Sequence, residues 1–117
     1  MDSDRELLEW AAKAAGYTTN HPWNAERLTF NPPVDALYVL NENGVVHTAW
    51  NPLTDDGAAL RLAVDLDFDI ELTEDAAWAG GINSQNHQLY EWHRNCKYAA
   101  TRRAIVRAAA EIGKAMP

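Results

Sequence analysis

The chain has 117 residues, 47% of them hydrophobic and 23% charged, with a net charge of −7 and one cysteine, Cys96. A chain of this length holds one domain with a single modest core, its apolar share argues against disorder, and no apolar run approaches the ~20 residues that span a bilayer. The lone Cys96 excludes an internal disulfide and fits a reducing compartment.

The acidic opening Met1-Asp-Ser-Asp-Arg-Glu6 leads straight into a helix and not into an apolar signal region, so a cytoplasmic setting is expected. Ser3-Asp-Arg-Glu6 has the form of a capping box. Leu7, Leu8, Ala11, Ala14 and Ala15 follow as an apolar stripe, and Gly16 stands where a left-handed C-terminal cap belongs, which predicts a helix over 4–15. Residues 17–33 read as mostly irregular, because Asn20-His-Pro-Trp23 and Asn31-Pro-Pro33 restrict the backbone against helix. Two apolar runs, 35–40 and 45–49, are separated by Asn41-Glu-Asn-Gly44, and Asn-Gly supplies the positive φ angles of a tight hairpin turn.

Trp50-Asn-Pro-Leu-Thr-Asp-Asp-Gly57 ends the second strand and opens a helix, with Thr54 or Asp55 as N-cap. Leu60, Ala63, Val64 and Leu53 are its expected buried side, and Leu66 its expected end. Phe68-Asp-Ile-Glu-Leu72 alternates strictly, as a half-buried strand does. Residues 76–79 and 88–92 are further strand candidates, and 80–84 a loop. A long helix is expected from about Lys97, with Tyr98, Thr101, Ile105, Ala108 and Ile112 as its buried stripe and Arg103, Arg107 and Glu111 on another face. The predicted architecture is α+β, a small antiparallel sheet with a β-hairpin flanked by three helices, which buries all these faces at once.

Charge divides the chain. From Arg94 onward there are six bases against Glu111 alone, whereas residues 1–93 hold four bases and sixteen acids, a net of −12. An acidic body repels the phosphate backbone, so duplex nucleic acid is not an expected partner. Asp65, Asp67, Asp69 and Glu71 lack the turning Gly of a calcium loop and read as the wet side of a strand. The arginines of the last helix, or those of a second copy, are the expected relief for that crowding, which suggests a homo-oligomer.

Three constellations have chemical potential. Trp50, Asn51, Asp55 and Asp56 lie where a strand meets a helix, so the ring and the carboxylates can converge on a ligand, although capping by Asp55 or Thr54 and packing of Trp50 account for the same residue types. His87, His93 and Cys96 are possible zinc ligands, but only His93-Arg-Asn-Cys96 makes a close pair and a structural site needs four ligands; neither a metal nor a cofactor is expected. Cys96 with either histidine is the sole nucleophile–base pairing on offer. Of the five tryptophans, Trp23 and Trp78 are the candidates for lining a pocket or an interface.

Three segments, Arg5-Glu-Leu-Leu-Glu-Trp-Ala-Ala-Lys-Ala-Ala-Gly-Tyr17, Trp50-Asn-Pro-Leu-Thr-Asp-Asp-Gly-Ala-Ala-Leu-Arg-Leu-Ala-Val64 and Ala99-Ala-Thr-Arg-Arg-Ala-Ile-Val-Arg-Ala-Ala109, together resemble the phage ABA (alpha-beta-alpha) sandwich family of small phage and prophage proteins. The Trp-Asn-Pro followed by Asp-Asp-Gly is the most specific part. The resemblance implies a phage origin, a helix-flanked sheet and no established biochemical activity, and it supplies no catalytic residues to carry over. The function expected is therefore that of a binding protein in the host cytoplasm, with counteraction of host defence as one role, whose target is a host protein or a small anionic, nucleotide-like ligand. Trp50, Asn51, Asp55, Trp23, Trp78, Arg102, Arg103 and Arg107 are its candidate ligand-binding residues. A small hydrolase or metal enzyme with an unrecognised site is the alternative.

Overall fold

The computed structural model describes residues 2–81 and 89–117. Its elements are α1 (Asp4–Ala14), α2 (Pro22–Arg27), β1 (Leu37–Asn41), β2 (Gly44–Trp50), α3 (Asp56–Asp65), β3 (Phe68–Leu72), β4 (Ala76–Gly81), β5 (Leu89–Trp92) and α4 (Lys97–Ala115). The class is α+β, as the residue patterns predict. The strands, however, form two separate antiparallel sheets, the β1–β2 hairpin and a sheet in the order β3-β4-β5.

Local chemistry explains the boundaries. Ser3 and Glu6 complete the capping box of α1, and Gly16 takes φ +85° just beyond the helix. In the hairpin turn only Gly44 has positive φ, at +117°, while the Asn41 carboxamide accepts from the Asn43 amide. The segment expected to be irregular contains α2, because His21 caps it by accepting from the Trp23 amide and Pro22 sits in the first turn, where a missing N–H costs nothing. The buried Asn24 docks α2 on β1: its Nδ2 donates to the carbonyls of Thr19 and Tyr38, and its Oδ1 accepts from the Tyr38 amide at 2.7 Å.

Helix α4 is the centre of the domain. It packs against α1, α3 and the β3–β5 sheet, so its buried set runs most of the way round: Ala100, Ala104, Ile105, Val106, Ala108, Ala109, Ala110 and Gly113. The expected stripe is corrected accordingly. Ile105 and Ala108 are buried, but Tyr98 is 63% exposed, since a single-surface stripe does not describe a helix covered on several sides. Likewise α3 is rotated from expectation. Ala58, Ala59, Leu62 and Ala63 are buried, whereas Leu60 and Val64 are 59% and 64% exposed. Three alanines on the buried side let α3 approach the core closely around Leu62, and Leu60 and Val64 are left outside.

The β3–β5 sheet has two unlike faces, fixed by register. Ile70, Ala79 and Leu89 are aligned, as are Leu72, Ala77 and Glu91, and this face meets α4. Glu71, Trp78 and Tyr90 are aligned on the other face, with Ala76 opposite Trp92 one row along. Gly80 and Gly81 extend β4 beyond its expected end, and the rest of the expected 80–84 loop lies outside the described residues, as does Gln88. None of the described helices is long and apolar enough to cross a membrane.

Candidate functional site

The eight residues marked by sequence for ligand binding do not converge. Trp50 is buried at the end of β2, 5% exposed, with its ring edge-on to Tyr17 at 5.8 Å. The Asn51 Oδ1 accepts from the Leu53 amide at 3.0 Å, and Asp55 caps α3 by accepting from the Gly57 amide at 3.0 Å. These groups are used to turn the chain from strand into helix, so that junction holds its own backbone and offers no convergent donors. Trp23 lies elsewhere, 53% exposed on α2, against the stacked rings of His21 and Tyr38. Trp78 lies elsewhere again, on the sheet face turned away from α4.

The three arginines of α4 are bound within the chain. Arg102 donates from Nε to the Leu53 carbonyl at 2.8 Å and from Nη1 to Asp56 Oδ1 at 2.7 Å, fastening α4 to α3. Arg103 donates to Asp4 at 2.9 Å and lies 3.5 Å from Glu91, while Arg107 pairs with the other oxygen of Glu91 and reaches the Tyr90 carbonyl at 3.3 Å. Glu91 is thus the hub through which β5 grips α4, its side chain 18% exposed beneath two guanidinium groups. The expected contact of these arginines with Asp67, Asp69 and Glu71 is absent among the described residues, because those of the three that lie in β3, Asp69 and Glu71, face the opposite side of the sheet.

A cleft of about 800 Å³ opens between the start of α1, the β5–α4 connection and α4, lined by Arg103, Arg107, Lys114, Glu91, Glu111 and His93 among others. Of its basic residues, Arg103, Arg107 and Lys114 are each paired with a carboxylate, while Arg94 takes part in no ion pair among the described residues. Lys114 engages Asp2, which with Glu111 holds its ammonium above the usual lysine range. His93 is a structural residue here: its backbone N–H donates to the Asp75 carbonyl at 2.8 Å and its Nδ1 donates to the Glu74 carbonyl at 3.1 Å, pinning the β3–β4 turn to the end of β5. Cys96, exposed at the N-cap of α4, accepts from the Ala99 amide through Sγ at 3.4 Å. The two side chains have separate partners, and His87 lies outside the described residues. No group of three potential metal ligands occurs among the described residues.

A second, smaller pocket of about 240 Å³ lies between α3 and β2, lined by Tyr17, Trp50, Leu62, Arg61 and Asp65 among others. Burial, then the nearby Asp65 carboxylate, raise the Tyr17 phenol above its ordinary value.

What sequence reasoning missed is the aromatic row on the outer sheet face. Trp78 and Tyr90 lie side by side on adjacent strands with centroids 4.9 Å apart, and Tyr90 meets Trp92 edge-on at 5.4 Å. Tyr90 and Trp92 are 43% and 56% exposed. Asp69 and Glu71 share this face, both exposed. The alternation of Leu89-Tyr-Glu-Trp92 carried the signal, since the aromatics fall on one side of the strand and Glu91 on the other. No family model matches the chain, and no curated protein and no solved structure matches it either.

Proposed function

We propose that this chain is a phage or prophage accessory protein that works by binding a host protein, and that the outer face of the β3–β5 sheet is the surface it uses. The phage assignment draws on the three-segment resemblance. The binding assignment is carried by one observation: an aromatic row lies open beside carboxylates that have no ion partner among the described residues, while the arginines on which an anionic ligand would depend are already paired. Clustered Trp and Tyr side chains are the residues from which binding hot spots are most often built. Solvent-exposed aromatics in a contiguous row stabilise a monomer less than burial would, so they are better accounted for by a partner.

The test is capture from a bacterial host lysate on immobilised protein, wild type beside Trp92→Ala. A partner retained by the wild type and lost by the variant supports the assignment. A partner retained equally by both removes the sheet face from consideration.

A further inference from the structure

We infer that the partner segment this face takes is extended and arginine-bearing, with guanidinium groups stacked on Tyr90 and Trp92 and others paired with Asp69 and Glu71; this rests on the binding role proposed above. The inference starts from charge. Between Phe68 and Trp92 the sequence contains no Lys or Arg and five acids, Asp69, Glu71, Glu74, Asp75 and Glu91. Glu91 points inward to Arg103 and Arg107. The other four take part in no ion pair among the described residues.

The placement of those four completes the picture. Glu71 stands in the same cross-sheet row as Trp78 and Tyr90, and Asp69 is two residues along β3 on the same face. Glu74 and Asp75 form the turn that His93 ties to the end of β5, so they flank Trp92. A platform with aromatic rings on β4 and β5 and carboxylates on β3 therefore runs across the sheet, and its chemistry selects planar cations: the rings attract one guanidinium through the quadrupole, and the carboxylates two strands away accept the N–H groups of another. A lysine ammonium satisfies the charge but not the stacking. Alternate side chains of an extended segment lie about 7 Å apart on one side, which matches steps of two strand positions along β3 and β5.

Hexa-arginine titrated into the full chain, followed by tryptophan fluorescence and calorimetry, tests the inference. The wild type should bind it, hexa-lysine should bind less tightly, and both Trp92→Ala and the Asp69→Asn/Glu71→Gln double variant should weaken hexa-arginine binding about tenfold. A charge-matched control, Glu26→Gln/Glu42→Gln, removes two exposed carboxylates away from the sheet and should leave binding unchanged. Equal weakening by the control would reduce the effect to attraction by the net charge, and failure of the wild type to bind would also overturn the inference. Self-association in light scattering that Trp92→Ala abolishes would assign the face to a second copy and overturn it too. If host capture depends on Trp92 but hexa-arginine does not compete, the partner chemistry is wrong and the docking face stands; if capture ignores Trp92, both fall. Because Trp92 is 56% exposed and Asp69 and Glu71 are exposed, melting curves of these variants should match the wild type, so lost binding reports the surface and not unfolding.

Discussion

Gly113 on α4 abuts the backbone carbonyl of Trp10 on α1. A Cβ at position 113 would fall 2.8 Å from the Trp10 carbonyl carbon and closer still to its oxygen. Replacing a helical Gly by Ala ordinarily stabilises by about 1 kcal/mol, but here the collision is with backbone and cannot be relieved by a rotamer change. Gly113→Ala is expected to destabilise by about 1–3 kcal/mol in urea unfolding. A gain in stability would mean that α1 and α4 are further apart than described.

Ile105→Asp should cost most of the domain's stability, because Ile105 is 3% exposed in the core around α4 and an unpaired charge there has no partner. Circular dichroism and a melting curve check it, and a cooperative transition near that of the wild type would contradict the buried position.

The rotation of α3 gives a sharper contrast. Leu62→Ala should lose about 2–4 kcal/mol, since Leu62 is 3% exposed, whereas Val64→Glu should stay within about 0.5 kcal/mol because Val64 is 64% exposed. The opposite order in chemical denaturation would restore the side expected from sequence.

Alkaline titration should single out Tyr17. Its phenol is raised above 10.0 in the folded chain by burial and by Asp65, so the folded state holds that proton more tightly than the unfolded state. The associated stability is fully present below the unfolded value near 10 and is lost as pH rises through the higher folded value. Phenolate absorbance should show one late-titrating tyrosine that disappears in Tyr17→Phe, and that variant should lose less stability than the wild type over the same alkaline window. A late step that persists in Tyr17→Phe would refute it.

Zinc should leave the melting temperature unchanged. Tight, stoichiometric binding to the native state would raise stability by several kcal/mol. A large shift abolished by Cys96→Ser would show that Cys96 and His93 recruit ligands after all.

The parts of the fold legible in the sequence are those set by neighbours along the chain. Ser3 and Glu6, Gly16, Gly44 and Asp55 each act within four residues of themselves, and each is where its residue type places it. Burial around α4 and α3 was not legible, because it depends on how many elements surround a helix; Tyr98 and Val64 sit on positions that a one-sided helix would bury. The arginines illustrate the same limit. Their spacing puts Arg103 and Arg107 on one side of α4, but that Glu91 from β5 would occupy both is a fact of tertiary register. The aromatic row is similar, since Trp78 and Tyr90 become neighbours only when β4 pairs with β5.

The position of Glu91 between Tyr90 and Trp92 has a consequence for binding kinetics. A strand of four residues at a sheet edge would ordinarily fray, leaving its outward rings to be ordered each time a partner arrives. Because Glu91 is clamped from the inner side by Arg103 and Arg107, the two rings beside it are held in place before any encounter. A partner docking on the face proposed above would then meet a preorganised surface and spend less of its contact energy on ordering it. Loss of the clamp, as in Glu91→Gln, should shorten the lifetime of the complex although position 91 never faces the partner.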